Sequence, residues 1–280
     1  MIEKGFNNLT NEDIEIELLL EAIYMKYGYD FRAYSRAHIK RRVLHRLSLS
    51  GLENISEMQH KVINDKVFFQ QILPDFSINV TEMFRDPSFF ATIRKEIIPI
   101  LKTYPHIKIW HAGCSTGEEV YSMAILLKEE GILNRTQIYA TDFNEKVVKK
   151  AKEGIYSAEL IKQFTYNYQK AGGTGSFSDY YIANYDYALL EESLKERIIF
   201  AEHNLVNDGV FGEMHMIICR NVLIYFNRDL QNRVIRLFND SLRNGGFLWL
   251  GPKESLNFSP HAESYEPIVE TQRIFRKKFK

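Results

Sequence analysis

The stretch that most constrains this chain is Ile107 to Glu119, IKIWHAGCSTGEE, where an apolar strand runs into a loop of small residues and then a helix. Ile107, Ile109 and Trp110 read as a buried strand. Ala112 to Gly117 keep side chains small where the backbone turns, and VYSMAILLKEE has helical periodicity. Such a unit lets a ligand lie against bare backbone near a helix N-terminus, where unpaired N–H groups point outward. Gly113 and Gly117 do not form the Gly-x-Gly-x-x-Gly of a dinucleotide fold, and Glu118 and Glu119 would repel a pyrophosphate. A cationic or zwitterionic ligand fits better. S-adenosylmethionine, with a sulfonium, an ammonium and no phosphate, satisfies that condition. The next apolar stretch, QIYAT, ends at Asp142, about 25 residues past the loop, where an acid can accept from both ribose hydroxyls.

The charge balance limits the partners. Lys and Arg number 36, as do Asp and Glu, so the formal net charge is zero, which argues against duplex DNA or another bulk electrostatic partner. Cys114 and Cys219 are too few for a disulfide framework or a zinc cluster, and the histidines show no metal-ligand spacing, so no metal site is expected. No apolar run approaches the roughly 20 residues of a membrane span, so a cytoplasmic protein is expected.

Charge is segregated along the chain. TNEDIEIELLLEAIYMKYG, from Thr10, has a cap, early acids and a Gly28 stop, and reads as an amphipathic helix. Phe31 to Leu49 then carries Arg32, Arg36, Lys40, Arg41, Arg42 and Arg46 without one acid. On a helical wheel His38, Arg41, Arg42 and His45 share a face, opposite Ile39, Val43 and Leu47. That face is either solvated and partly neutralised by the acidic helix before it, or a docking surface for an acidic partner; the same-sign run favours docking. Ile55 to Leu73 reads as one further helix. The stretch 75–90, DFSINVTEMFRDPSFF, breaks the periodicity with polar groups that need partners and marks a domain boundary.

Beyond Asp142, a charged helix over 145–154 leads to an aromatic, Gly-rich region, 165–197, that fits a strand–helix alternation poorly and reads as an inserted antiparallel subdomain whose edge could accept a peptide strand. AGGTGSF, 171–177, reads as a hairpin turn or flexible loop. Alternation resumes with IIFAEHNL, MHMIICRNVLIYF, a helix over 228–243 and a strand over 246–250. Asn204, Arg220 and Asn221 end apolar runs and belong in the same crevice as Gly113 and Asp142. TQRIFRKKF should form a last, edge strand, with Lys277 and Lys278 serving solubility.

INVTEMFRD (78–86), HAGCSTGEEVYS (111–122), ATDFNEKVVKKAKEGIY (140–156), HNL (203–205) and ICRNVLIYF (218–226) together resemble CheR-type chemotaxis receptor methyltransferases, over almost the whole chain and in the right order. The resemblance implies an α/β fold: a Rossmann-like seven-stranded methyltransferase sheet, a small all-α N-terminal domain and an inserted antiparallel β subdomain. It divides the chain into a helical domain (1–75) with a basic docking helix, a linker (76–90) contributing to the cofactor site and a methyltransferase domain (91–280). It implies methyl transfer from S-adenosylmethionine to chemoreceptor glutamates, with S-adenosylhomocysteine as product. The family's cofactor contacts fall on Asn79, Thr81, Arg85, Glu119, Asp142, Asn204, Leu205, Arg220 and Asn221, to which the loop reading adds Gly113. Arg41, Arg42, His45 and Arg46 would meet the acidic methylation helices of the receptor. Arg85 is expected to orient the substrate carboxylate or the cofactor, and Tyr225 to shape the methyl-transfer site. Competing readings are a CheR-like enzyme of another signalling system, a small-molecule methyltransferase and a non-catalytic cofactor-binding adaptor.

Overall fold

The computed structural model describes residues 9–76, 81–257 and 259–279. The chain forms two compact units: residues 1–79 with 224–231, and residues 80–223 with 232–280.

The first unit is built from α1 (Asn11–Tyr27), α2 (Arg36–Ser50), α3 (Ile55–Asn64) and α4 (Lys66–Phe76). Thr10 and Asp13 form a reciprocal capping box at the start of α1, and Gly28 closes it in the left-handed conformation. The single helix read over 55–73 is two. Asp65 is extended, at φ −126° and ψ 100°, and its carboxylate accepts from Val67 and Phe68 N–H at 2.9 and 3.0 Å. It therefore ends α3 and caps α4. Leu19, Ile23, Ile39, Val43, Met58, Val62 and Ile72 are buried, and Tyr27 stacks on Phe69 at 3.8 Å between ring centroids. The segment 224–231 returns to this unit. Tyr34 bridges Phe226, and Ser35 N–H donates to the Tyr225 carbonyl at 2.8 Å.

The second unit holds a seven-stranded sheet in the order β6-β2-β1-β7-β8-β10-β9. Its strands are β1 (Ile107–Ala112), β2 (Thr136–Asp142), β6 (Ile198–Glu202), β7 (Met214–Cys219), β8 (Leu242–Leu250), β9 (Tyr265–Val269) and β10 (Ile274–Lys277). All neighbouring pairs from β6 to β8 are parallel, and β10 is antiparallel to β8 and β9. From β1 the chain winds outward through β2 to β6, then returns to β7 on the other side. The order reverses between β1 and β7, the position at which open α/β sheets bind ligands beyond their carboxyl ends.

The terminal strand β10 is internal. The edge is β9, whose YEPIV run carries Glu266 and Pro267 and hides it from a pattern search. Lys277 does more than confer solubility: its ammonium donates to the carbonyls of Asn239 and Leu242 at 2.6 and 2.8 Å, at the end of the helix Arg228–Ser241.

A second, antiparallel sheet has the order β3-β5-β4, from β3 (Ile155–Ser157), β4 (Tyr181–Asn184) and β5 (Tyr187–Leu190). Its first strand precedes the segment 165–197, and residues 165–170 belong to the helix Ala158–Lys170. The Gly-rich loop after that helix is pinned. Glu129 accepts from Thr174 N–H at 2.9 Å and from the Tyr168 and Tyr180 hydroxyls. A Cβ on Gly173 would lie 2.2 Å from the Tyr168 ring.

Candidate active site

Every strand that ends at the switch point delivers a polar group. The loop after β1 turns on Gly113, at φ 82°, where a Cβ would meet Val222 Cγ2 at 2.5 Å. Bare backbone is therefore required there. Gly113 and Cys114 N–H both donate to the Thr141 carbonyl, at 2.8 and 2.9 Å, holding the loop against the end of β2. Asp142 follows. Its two carboxylate oxygens accept from Ser115 N–H at 3.0 Å and Asn144 N–H at 3.1 Å. Burial pushes its carboxyl up, while the N–H groups of Asn144, Ser115 and Phe143 oppose that shift.

The helix α5, Glu118–Glu129, opens with two acids whose surroundings differ. Glu118 is 5% exposed and accepts from the Thr116 hydroxyl at 2.7 Å; burial lifts its pKa to about 7. Glu119 is also pushed up by burial. The His111 hydrogen bond and the Arg220 cation outweigh that and hold its carboxyl below the usual range. Glu119 Oε1 lies 3.2 Å from His111 Nδ1, and Oε2 takes a hydrogen bond from Arg220 Nη1 at 2.9 Å.

Arg220, just after β7, is the hub of the site. Its guanidinium is 1% exposed, with Cζ 4.6 Å from the centroid of Phe89 and 4.7 Å from that of Trp249. In addition to Glu119 it pairs with Asp86 Oδ2 at 2.5 Å, and Nη1 is 3.4 Å from the Arg85 carbonyl. The backbone around it is unusual. Phe84, Asp86, Ser115 and Asn221 all have φ between 49° and 61°, a left-handed conformation that costs about 1–3 kcal/mol per non-glycine residue and concentrates at functional sites. Glu254, beyond β8, is 4% exposed. It accepts from the N–H groups of Gly251, Asn221, Val222 and Leu223, at 2.5 to 3.1 Å, which fixes the turn that follows Arg220.

The profile of the CheR methyltransferase SAM-binding domain matches residues 79–273, and that of the CheR all-alpha domain matches residues 14–77. Cher3 of Pseudomonas putida is 54% identical over 267 residues, covering 95% of this chain and 98% of that protein. The chemotaxis protein methyltransferase of Listeria innocua is 28% identical over 82% of this chain and 85% of its own length. That of Borreliella burgdorferi is 28% identical over 94% of both. The chain belongs to the CheR methyltransferase family. It is an S-adenosylmethionine-dependent methyltransferase, with the all-α unit and the mixed sheet that this family implies.

The residues of this CheR-family site suit that cofactor. Two acids, Glu119 and Asp86, face the one guanidinium of Arg220, and this acid-rich surrounding suits a cationic ligand. Backbone N–H groups on both oxygens orient the Asp142 carboxylate at the end of β2, the position that suits the ribose hydroxyls. Among the described residues no group of three or more His, Cys, Asp or Glu could hold a metal ion, and no helix is long and apolar enough to cross a membrane.

Of the residues named from sequence, the fold brings Gly113, Glu119, Asp142, Arg220 and Asn221 to the strand ends around the switch point, and a hydrogen bond joins Arg220 to the Arg85 backbone. Thr81 is half-buried, while Asn79 lies outside the described residues. Asn204 spends its side-chain oxygen on Val206 N–H at 3.0 Å, in the turn that buries Leu205. Tyr225 belongs to the helical unit, where its ring stands edge-on to His38 at 5.3 Å. Cys114 and Cys219 are free and buried, and burial pushes both thiols well up.

The basic helix is more committed than its sequence suggests. Arg32 pairs with Glu21 at 3.0 Å, Arg36 with Glu17, and Lys40 with Glu12. Arg46 is bound to Asp75 at 2.5 Å and to the Gln71 carbonyl, so it is a structural tie and no longer a docking candidate. Arg41, Arg42 and His45 keep no ion-pair partner among the described residues.

Sequence reasoning missed His111, Asp86 and Glu254, and named Glu118 only as one of the two acids that open the helix. For Asp86 the signal was adjacency to Arg85, whereas nothing local singles out Glu254.

Glu118 makes stability depend on pH. With a native pKa near 7 against 4.5 for an ordinary carboxyl, its protonated form favours the folded state. That contribution is complete below pH 4.5 and is lost as the pH rises through 7. Glu118→Gln should therefore gain on the order of 3 kcal/mol relative to wild type between pH 4.5 and 8, read from urea unfolding at each pH. A pH-independent difference between the two proteins would refute the assignment.

Proposed function

We propose that this chain transfers the methyl group of S-adenosylmethionine to glutamate carboxylates on acidic helices of a bacterial chemoreceptor, giving methyl esters. The observation that carries this reading is the acid-rich, phosphate-repelling crevice centred on Arg220, in which Glu119 retains access to solvent at 19% side-chain exposure. Glu119 receives the ammonium of the cofactor's amino-acid arm, Asp142 the ribose hydroxyls, and Asn204 and Leu205 flank the adenine. Thr81, Arg85 and Asn221 complete the contacts.

When bound, the cofactor supplies a methyl group on a sulfonium that is its own leaving group. The substrate carboxylate is already ionised at neutral pH, so no general base is needed. The protein's work is alignment in a site with little water. Arg85 orients the incoming carboxylate.

The unpaired cations on α2 supply the other half of the reading. The acids of α1 neutralise one side of the helix and leave Arg41, Arg42 and His45 for a partner. Their chemistry suits a helix rich in glutamate. A substrate of this kind places the enzyme in the cytoplasm, beside membrane-bound receptors. The small sheet exposes Ile182, Tyr187 and Leu189 on its surface, and a receptor peptide adding to the edge strand β4 would provide a tether.

Calorimetric titration with S-adenosylhomocysteine tests the pocket. Wild type should bind at micromolar affinity or tighter, and Asp142→Ala should weaken binding by at least tenfold; equal affinities would remove Asp142 from the ribose site. The docking face is tested with Arg41→Glu/Arg42→Glu. This variant should bind S-adenosylhomocysteine as wild type does and lose most methylation of receptor-containing membranes, more so at low ionic strength. Unchanged methylation would show that the face does not dock substrate.

A further inference from the structure

We propose that His111 is a positioning residue for cofactor recognition: its Nδ1–H fixes the Glu119 carboxylate in the orientation that receives the cofactor's ammonium. The inference rests on the cofactor reading above and adds to it the residue that selects the amino-acid arm.

His111 lies near the end of β1, eight residues before Glu119 and on the far side of the loop that carries Gly113 and Gly117. It is 1% exposed. A carboxylate only accepts hydrogen bonds, so at 3.2 Å from Glu119 Oε1 the Nδ1 atom must carry the proton. Nε2 is buried with no partner among the described residues. An imidazole present only for packing gains nothing from that arrangement, because an apolar residue of similar size would fill the space without an orphaned nitrogen. What the ring does supply is one directed donor to one oxygen of Glu119.

The second oxygen of Glu119 is held by Arg220. With both oxygens anchored from the protein side, the carboxylate plane is set and each oxygen keeps a lone pair for a ligand. Without His111, Arg220 alone holds the carboxylate. The group can then rotate about its terminal bond, where the energy wells are broad, and close a bidentate fork on the guanidinium. That rearrangement would turn the lone pairs of Glu119 from the ligand to the arginine. His111 therefore keeps Glu119 from collapsing onto Arg220 and preserves its use for a second cation.

The experiment is calorimetric titration of the full chain with two ligands that differ only in the arm. S-adenosylhomocysteine carries the ammonium and carboxylate, whereas 5′-methylthioadenosine keeps the adenosine and thioether and lacks both. In His111→Ala the affinity for S-adenosylhomocysteine should fall roughly tenfold to a hundredfold, and that for 5′-methylthioadenosine should stay within about threefold. His111→Asn, whose amide N–H can stand where Nδ1–H stood, should restore most of the loss; His111→Gln, which moves the donor outward, should not. The Asn and Gln pair carries the test if the Ala variant does not fold. Equal losses for both ligands would reduce His111 to a structural staple, and equal affinities of the Asn and Gln variants for S-adenosylhomocysteine would exclude a directed donor. Either result overturns the proposal. A wild type that binds neither ligand is a separate failure, of the cofactor reading itself.

Discussion

One buried guanidinium organises the catalytic end of the sheet. Arg220 leaves β7 at the switch point, packs against the rings of Phe89 and Trp249, and pairs with acids from two other segments, Asp86 and Glu119. A cation this deeply buried is tolerable only when its charge and hydrogen bonds are met, and removing one partner of such a cluster leaves an uncompensated charge that costs several kcal/mol. The cluster thus joins the stretch that carries Asp86, the start of α5 and the end of β7 into one electrostatic unit. The Phe89 and Trp249 rings stand within cation–π distance of the guanidinium.

The turn that presents Arg220 depends on a second buried charge. Glu254 gathers four N–H groups, three of them from Asn221, Val222 and Leu223, and its hydrogen bonds offset the strain of Asn221 at φ 61°. Burial raises the Glu254 carboxyl while those N–H groups oppose the rise. Gly251 is needed beneath it, since a Cβ there would stand 2.9 Å from Asn221 N. Two charges of opposite sign, Arg220 and Glu254, accordingly set the conformation on either side of one short turn.

The parts of this architecture legible in the sequence are those whose signal is local. The strand, loop and helix around Gly113, and the acid ending β2, are contiguous patterns, and Arg220 and Asn221 stand out because a polar pair ends an apolar run. His111, Asp86 and Glu254 are different. Their roles arise from partners brought close only by the fold, such as Asp86 to Arg220, 134 residues apart. The same limit explains the structural misreadings. Asp65 splits a continuous apolar pattern because its carboxylate caps the following helix, and Lys277 looks solvated until the end of the helix before β8 is placed beside it. Arg46 shows the limit of reading a same-sign run, which counts the cations but not the acid on another helix that already holds one of them.

The measurement that tests the account most directly is the chemical nature of the transferred methyl group. Receptor-rich bacterial membranes would be incubated with this protein and S-adenosylmethionine labelled in its methyl group. Carboxylate methylation predicts label on receptor protein that mild alkali releases as methanol. Label that survives alkali, or that never leaves the cofactor, would contradict the central claim that this site aligns a glutamate carboxylate for methyl transfer.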